Sequence, residues 1–306
     1  MLNVKRKRRM DETASILTHK SGKEKILYII ISVLFGLYAL TIVYPLLFMI
    51  INSFQFYLEY NSATNPFALP SSWHFENYIT AISKMNMVDS SGREIGLVEM
   101  FFNSIWFCFV TIFGGVFCSA CTGYCLSKYN FKLRNAMYTI AIFSMTIPIV
   151  GNTGAMFKLT SDLGIYNSPL YVILSSLGGF GFNFLVMYGF FSNVSWSYAE
   201  AAFIDGASQL KVFFQIMLPQ AFMSILTLSI VAFIRVWNDY MTPLLYLPDY
   251  PTVASGLYII EQSFTRSGDY PSYFAGLVLS TIPVIIVFAS CSDVIMKNFS
   301  VGGLKG

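Results

Sequence analysis

The segment SYAEAAFIDGASQLKVFFQIMLP, residues 197–219, lies between two long apolar runs of the chain. Ser197 and Glu200 have the S-x-x-E spacing of a capping box, which predicts that a helix starts there. Gly206 suits the left-handed conformation that ends a helix, and Ser208 suits the start of a second short helix. Pro219 is then expected to open the next element. The segment is therefore predicted to form two short helices joined by a turn.

The second of these helices is predicted to carry an apolar face. Its members lie on or near one side of the helix: Leu210, Phe213, Phe214 and Met217. An exposed apolar face of this size has to be covered, and a partner protein is the natural candidate.

The composition places the segment in a membrane protein. Of the 306 residues, 55% are hydrophobic and only 11% are charged, and the mean hydropathy is +0.60. Soluble domains carry about 25% charged residues, so a soluble enzyme, a nucleic-acid binder and a secreted disulfide scaffold are poor interpretations. Because hydrocarbon offers no hydrogen-bond partners, each long apolar run must be helical. Six runs are long enough to cross a bilayer: residues 26–51, 101–127, 136–157, 169–191, 221–247 and 274–296.

The fold class predicted from these runs is an all-α polytopic membrane protein with six transmembrane helices. Its parts are a basic tail at 1–25, the first helix at 26–51, an external loop at 52–100, a core at 101–296 that includes the loop at 195–219, and a tail at 297–306. Fourteen of the nineteen basic residues fall on one side of the membrane in this division. The positive-inside rule then places both termini in the cytoplasm.

The basic tail precedes a transmembrane run, so it is predicted to contact lipid headgroups and not nucleic acid. Its basic residues are Lys5, Arg6, Lys7, Arg8, Arg9, Lys20, Lys23 and Lys25.

Two apolar runs contain helix breakers. Pro148, Gly151 and Gly154 interrupt the third run, and Gly178, Gly179 and Gly181 interrupt the fourth. Breaks at membrane depth are tolerated where they line a cavity or are buried in protein. In the second run, Gly115, Ser119 and Gly123 form a stripe of small residues that predicts close helix packing.

Catalytic and metal chemistry find little support. Cys118, Cys121 and Cys125 are spaced C-x2-C-x3-C, but no His, Asp or Glu accompanies them, so packing is favoured over metal binding. The chain has no G-x4-G-K-[ST] phosphate loop. Its only histidines, His19 and His74, lie in the tail and the external loop. No enzymatic activity, bound cofactor or metal is expected.

A resemblance to a known family narrows the function. Glu200-Ala201-Ala202, then Gly206, then Ile216-x-Leu218-Pro219 resemble the EAA-x3-G-x9-I-x-L-P loop of ABC importer permeases at every named position. The resemblance implies a type I importer (MetI-like) transmembrane domain in a bacterial plasma membrane. It also implies that the loop couples to an ATPase subunit. The coupling residues would be Glu200, Ala201, Ala202, Asp205, Gly206, Ser208, Leu218 and Pro219.

A second resemblance points to carbohydrate permeases of the MalG type. It lies in Phe233-Ile-Arg-Val-Trp-Asn-Asp-Tyr240 with Pro243 and Leu244, and in the G-x-x-K-G ending at Gly306. Asp293 departs from the family, where many relatives have a basic residue. The resemblance implies four kinds of partner: a second permease, two ATPase subunits, an extracellular lipid-anchored or periplasmic sugar-binding protein, and membrane lipid. ATP and Mg²⁺ would belong to the ATPase. The external loops at 52–100 and 249–272 would contact the binding protein.

Residues 235–239 have two interpretations. Arg235, Trp237, Asn238 and Asp239 could line the substrate path, because aromatic faces and amide groups suit sugars and a charge in the membrane needs a polar environment. Alternatively, Arg235 and Asp239, four residues apart, could form an ion pair that stabilises the helix.

Three other functions remain alternatives. An ion-gradient-driven secondary transporter would need carboxylates at membrane depth and an inverted repeat, and neither is visible. An ABC importer permease for a solute other than a sugar, and a membrane scaffold or sensor, are the others.

Overall fold

The computed structural model describes residues 22–62, 67–147 and 151–301. Several features singled out in the sequence lie outside these residues: most of the basic tail, including the run at 5–9, the proposed break at Pro148, and the last five residues of the G-x-x-K-G ending. The side chain of Asp293 is also outside the described part.

Within the described residues, the regular secondary structure is helical apart from one short hairpin. The helices are α1 (Gly22–Asn52), α2 (Tyr57–Ser62), α3 (Glu76–Lys84), α4 (Leu97–Lys128), α5 (Arg134–Thr146), α6 (Thr153–Asp162), α7 (Pro169–Ser176), α8 (Phe182–Asn193), α9 (Ser197–Ile204), α10 (Gln209–Val212), α11 (Leu218–Gln220), α12 (Phe222–Trp237), α13 (Met241–Tyr246), α14 (Val253–Ser267) and α15 (Tyr270–Val301). A π-helical turn, Phe213–Met217, joins α10 to α11. Strands β1 (Asn86–Val88) and β2 (Glu94–Gly96) pair antiparallel.

Three of the described helices are long and apolar enough to cross a membrane: α1, α4 and α15. The segment Gln209–Gln220 and helix α12 pass the same test together as a pair bent by 69°. The remaining apolar runs are divided into shorter helices, α5 with α6 and α7 with α8. Six crossings therefore remain a prediction from the sequence.

Helix α4 is the centre of the packing. It contacts α7, α8, α12 and α14 along its length. A Cβ atom added at Gly123 would lie 2.8 Å from the backbone nitrogen of Tyr188 and 3.0 Å from the carbonyl carbon of Met187. Only a residue without a side chain lets α8 approach this closely, which explains this member of the small-residue stripe.

The fourth apolar run is broken, as its glycines suggested. Helix α7 ends at Ser176 and α8 begins at Phe182. The hydroxyl of Thr122 on α4 donates to the carbonyl of Gly179 at 2.7 Å. This side-chain bond satisfies a backbone group that the break exposes.

The fifth run was predicted as one helix across 221–247 but is divided. Helix α12 ends at Trp237, and α13 begins at Met241. The carboxylate of Asp239 accepts a hydrogen bond from the backbone nitrogen of Thr242 at 3.0 Å. Asp239 precedes the N-cap residue Tyr240, and its carboxylate satisfies a free N–H group in the first turn of α13. A new helix thus begins where continuous helix was expected.

A second core lies beside the hairpin. Met85, Ile95, Met100, Leu257 and Phe264 are buried together between α3, β2, α4, α14 and neighbouring residues of α15. The buried Ser104 accepts a hydrogen bond from the backbone nitrogen of Val253 at 2.8 Å, and Asn103 donates to the carbonyl of Pro251 at 3.1 Å. Helix α4 thereby fixes the first turn of α14.

Candidate functional site

The first short helix of the loop at 195–219 starts differently from the prediction. Ser197 is the first residue of α9, and no side-chain capping bond is made by the residue before it, Trp196. The hydroxyl of Ser195 instead accepts a hydrogen bond from the backbone nitrogen of Ser197 at 3.3 Å. The predicted Ser197–Glu200 capping box is therefore wrong, and the Glu200 carboxylate is not used in capping.

The end of α9 follows the prediction at Gly206. This glycine has a φ of +78°. Its backbone nitrogen donates to the carbonyl of Phe203 at 3.0 Å, and that of Ala207 donates to the carbonyl of Ala202 at 2.9 Å. These two bonds define a Schellman motif, which needs a left-handed residue at the glycine position. The turn that orients the two short helices thus depends on Gly206.

The second short helix is capped as expected. The Ser208 hydroxyl accepts a hydrogen bond from the backbone nitrogen of Lys211 at 3.3 Å. Beyond it, the π-helical turn leads into Leu218 and Pro219, which begin α11. The chain then bends by 69° into α12, so the loop and the long helix that follows it point in different directions.

One side of the loop is anchored in the protein. Ala199, Val212, Phe213 and Met217 are buried together with residues of α4 and α8. The ring of Phe213 lies 4.9 Å from that of Tyr124 on α4. The predicted single apolar face of Leu210, Phe213, Phe214 and Met217 is thus divided, because Phe213 and Met217 point inward.

Two polar contacts connect the loop to the end of α4. The Lys128 ammonium donates to the carbonyl of Val194 at 2.5 Å, and the Tyr129 hydroxyl donates to the side-chain oxygen of Gln209 at 2.5 Å. The loop is therefore held to α4 by both packing and hydrogen bonds.

The other side of the loop is exposed. Ile204 is 86% exposed, Leu210 is 70% exposed and Phe214 is 48% exposed. Within the described part of the chain, the carboxylates of Glu200 and Asp205 form neither ion pairs nor hydrogen bonds. Of the other predicted coupling residues, Ala201, Gly206, Ser208 and Pro219 are exposed, whereas Ala202 and Leu218 are partly buried. We call Glu200, Ile204, Asp205, Leu210 and Phe214 the exposed ridge.

Four residues between 235 and 239 were candidates for the substrate path. Three of them make contacts that stabilise the structure, and the fourth has no partner in the described part of the chain. Trp237 is 5% exposed and donates from its indole nitrogen to the carbonyl of Ser280 at 3.1 Å. The Asn238 amide donates to the carbonyl of Ile234 at 2.7 Å. Asp239 accepts a hydrogen bond from a backbone N–H in the first turn of α13. Among the described residues Arg235 has no ion pair, so the alternative interpretation, an Arg235–Asp239 ion pair, is wrong.

Arg235 lines a cavity of about 610 Å³ that has both apolar and polar side chains in its wall. The cavity lies where α4, α7, the break between α7 and α8, and α12 meet. The residues that line it are Thr111, Gly115, Ser119, Ser175, Ser176, Gly178, Phe180, Gly181, Phe182, Asn183, Val231, Ala232 and Arg235. The helix break and two of the three members of the small-residue stripe, Gly115 and Ser119, thus open onto the same space as the charge.

A polar cluster that the sequence did not reveal lies beside the hairpin. The carboxylate of Asp249 accepts hydrogen bonds from the backbone nitrogen of Ser90 at 2.7 Å and from its hydroxyl at 2.6 Å. The Asn167 amide donates to the same carboxylate at 2.5 Å. We call Asp89, Ser90, Asn167 and Asp249 the Asp249 cluster. It joins segments up to 159 residues apart.

Both carboxylates of this cluster titrate below their usual range. Hydrogen bonds from the Ser90 hydroxyl and backbone lower the pKa of Asp249. Hydrogen bonds from the Ser91 hydroxyl and the Arg93 backbone lower the pKa of Asp89 to about 2. Donors aimed at a carboxylate favour its charged form, so both groups are stable as anions within the cluster.

No metal site is apparent in the described residues. They contain no group of three or more His, Cys, Asp or Glu side chains placed to hold a metal ion. Cys118 and Cys121 are partly buried and Cys125 is exposed, and all three are free thiols.

Comparison with known proteins decides the family. Residues 111–300 match the model of the "binding-protein-dependent transport system inner membrane component" family. The chain belongs to this family. It is therefore a membrane-embedded transport subunit and not an enzyme, and its loop at 195–219 lies inside the matched region.

Two named transport permeases are similar to this chain over most of their length. The diacetylchitobiose uptake system permease protein NgcG of Streptomyces coelicolor is 28% identical over 88% of this chain and 86% of that protein. The galactooligosaccharides transport system permease protein GanQ of Bacillus subtilis is 28% identical over 88% of this chain and 92% of that protein.

The fold also matches a solved permease. A crystal structure of a bacterial ABC transporter involved in the import of the acidic polysaccharide alginate superposes with a TM-score of 0.75 and 22% identity. The match covers 90% of this chain and 98% of that chain. The MetI-like fold expected from the sequence is thus confirmed.

Proposed function

We propose that this chain is one of two permease subunits of a carbohydrate ABC importer and that its substrate is an oligosaccharide. The relatives NgcG and GanQ are named for the uptake of diacetylchitobiose and galactooligosaccharides. A third, AraQ of Halalkalibacterium halodurans, is 28% identical and named for arabinooligosaccharides. Three related permeases with three oligosaccharide substrates support the substrate class.

The observation that carries the coupling role is the exposed ridge on a rigid anchor. The inner side of the loop is packed on α4 and α8, while Ile204 and Leu210 extend outward with the unpaired carboxylates of Glu200 and Asp205. Exposure of these apolar side chains to water is unfavourable, and a groove on a partner protein would bury them. We assign the ridge as the docking surface of a separate ATPase subunit that binds ATP and Mg²⁺.

The assignment of the ridge to the ATPase also fixes the orientation of the chain in the membrane. The ridge then faces the cytoplasm of a bacterial cell, as do both termini. The Asp249 cluster and the hairpin face outward, where residues 52–100 and 249–272 meet a sugar-binding protein that is lipid-anchored or periplasmic. A solved alginate transporter of similar fold was crystallised with a periplasmic binding protein, at a TM-score of 0.60 and 14% identity.

The experiment that tests the coupling role changes the conformation of one residue. The complete importer, with both permeases, ATPase and binding protein, is reconstituted in proteoliposomes, and ATP-dependent oligosaccharide uptake is measured. Gly206→Val places a β-branched residue at a φ of +78°, which it tolerates poorly. Uptake is expected to fall at least about tenfold, the effect of a 1.4 kcal/mol change.

Gly206→Asn is the matched control, because asparagine enters the left-handed region more readily than other residues with side chains. It should retain most of the uptake. Glu200→Lys, which reverses a charge on the ridge without touching the anchor, should also abolish uptake while the subunit stays in the membrane. Normal uptake by Gly206→Val and Glu200→Lys would contradict the coupling role. Uptake that continues without the ATPase would favour an ion-driven carrier.

A further inference from the structure

The cavity beside Arg235 has a mixed lining of apolar and polar side chains, and the polar ones make few hydrogen bonds within the chain. Thr111, Ser119 and Asn183 line it, and in the described part of the chain their side chains make no hydrogen bond. The hydroxyls of Ser175 and Ser176 donate only to carbonyls of their own helix. Donors and acceptors left free around one space are typical of a site that binds a polar ligand. The volume of about 610 Å³ is within the usual range of small-molecule sites, about 300–1,000 Å³.

Arg235 adds a positive charge that the described chain does not balance. Its side chain has no ion pair and no hydrogen bond among the described residues, and none of the residues that line the cavity is acidic. The nearest acid along the chain, Asp239, accepts a hydrogen bond from the backbone nitrogen of Thr242 in the first turn of α13. Arg235 is exposed in this chain, and the sequence places it in a transmembrane run. Charges in such runs face protein or a water-filled cavity and mark functional sites, so a cation without a partner there indicates a function.

We infer that the transported oligosaccharide is acidic and that Arg235 binds its carboxylate. This inference rests on the proposed function and specifies its substrate class. A guanidinium matches a carboxylate with two parallel hydrogen bonds, and the free hydroxyl and amide groups match sugar hydroxyls. A uronate, which is a sugar unit with one carboxylate, offers a partner both to the Arg235 guanidinium and to the hydroxyl and amide groups of the cavity. A neutral sugar would leave Arg235 unbalanced.

A single guanidinium fits a singly charged carboxylate better than a phosphate. A phosphoryl group carries close to two charges at neutral pH and would need a second cation. Arg235 is the one basic residue among those that line the cavity. A uronate is therefore the specific ligand chemistry that the cavity supports.

The experiment compares two oligosaccharides that differ in the carboxylate. Oligogalacturonates and galactooligosaccharides of equal length are offered to the complete importer in proteoliposomes, and ATP-dependent uptake is measured for Arg235→Gln, Arg235→Lys and the unchanged chain. Uptake of the uronate by the unchanged chain is expected to exceed that of the neutral sugar at least about tenfold. Arg235→Gln should lower uronate uptake by about 10- to 100-fold, as when a carboxylate loses its charge-assisted hydrogen bonds.

Lys158→Gln is the matched control, because Lys158 on α6 is an exposed basic residue that does not line the cavity. It should leave uptake of both sugars unchanged. Arg235→Lys should retain part of the uronate uptake, since charge is kept and the paired hydrogen bonds are lost.

Three results would overturn the inference. If neutral oligosaccharides are transported and Arg235→Gln has no effect, the proposed function stands and the acidic substrate is excluded. If Arg235→Gln lowers uptake of both sugars equally, Arg235 pairs with an acid of the second permease and not with substrate. If no oligosaccharide of either kind enters with ATP, the proposed function itself fails.

Discussion

The exposed ridge and the Asp249 cluster lie at opposite ends of α4 and use charged groups in opposite ways. In the Asp249 cluster both carboxylates accept hydrogen bonds from within the chain, and their pKa values are lowered. On the ridge, Glu200 and Asp205 have no partner in the described part of the chain. Charges that are satisfied internally hold segments together, whereas charges left free are available to another molecule. We therefore expect substitutions on the ridge to affect transport and substitutions in the cluster to affect stability.

The largest effect is expected at Ile204. Ile204→Asp places a carboxylate at the centre of the proposed docking surface, where burial without a partner is costly. Oligosaccharide uptake by the reconstituted importer should fall at least about tenfold. The melting temperature should not change, because this side chain is 86% exposed and packs on little. Ile204→Leu is the control and should transport normally. A lowered melting temperature in Ile204→Asp would mean that the ridge is part of the core.

The reverse result is expected at Asp249. Asp249→Ala removes the acceptor of the Ser90 and Asn167 hydrogen bonds. The melting temperature of the purified importer should fall by about 2–5 °C, as for the loss of one or two charged hydrogen bonds. Uptake per folded complex should fall less than in Ile204→Asp, because the Asp249 carboxylate accepts hydrogen bonds from within the chain and is not free to contact the binding protein. Asp162→Ala removes an exposed acid whose carboxylate makes no hydrogen bond to the described part of the chain, and it should leave both measurements unchanged. If Asp249→Ala lost uptake without a change in melting temperature, the Asp249 cluster would have a direct role in transport.

An intermediate effect is expected at Ser208, which has a structural role inside the functional loop. Ser208→Ala removes the cap of α10 and should destabilise this helix locally by about 1 kcal/mol. Hydrogen exchange at the Lys211 amide, which donates to the cap, should become faster, by about fivefold. Ser208→Asp keeps an acceptor and should restore slow exchange. Unchanged exchange in Ser208→Ala would show that packing alone holds α10.

The smallest effect is a pH dependence at Asp89. Its folded-state pKa is about 2, below the ordinary value of 3.8. The stabilisation by its ionised form is therefore fully present above pH 3.8 and is lost as the pH falls through about 2. The difference in melting temperature between the unchanged chain and Asp89→Asn should stay constant from pH 8 to about pH 5 and shrink in more acid solution. A difference that grows on acidification would contradict the assignment.

Local signals in the sequence were sufficient where one residue decides the geometry. Gly206 and Ser208 were predicted as helix end and helix start, because a left-handed residue and a hydroxyl cap act over three or four residues. The glycines of the fourth run likewise predicted its break. Ser197 failed as a cap because Ser195, two residues earlier, offers its hydroxyl to the same turn. Two candidate caps this close cannot be ranked from sequence alone.

Contacts between residues that are far apart in the sequence could not be predicted from it. The Arg235–Asp239 spacing predicted an ion pair only if the helix continued, and α12 ends at Trp237. The aromatic character of Trp237 suggested sugar stacking, but its burial depends on α15, which supplies the Ser280 carbonyl. The Asp249 cluster joins residues from three loops. Such pairings follow from tertiary packing and leave no periodic pattern to detect.

The continuity of α4 has a mechanical consequence. It runs unbroken from Leu97 to Lys128, about 48 Å at 1.5 Å per residue. The hairpin leads directly into the first turn of α4. The last residue of α4, Lys128, donates a hydrogen bond to the carbonyl of Val194, immediately before the loop. A tilt of about 5° pivoting at one end displaces the other by about 4 Å over this length. A displacement of the ridge would therefore reach the opposite end of α4 through the helix backbone, without a series of side-chain rearrangements.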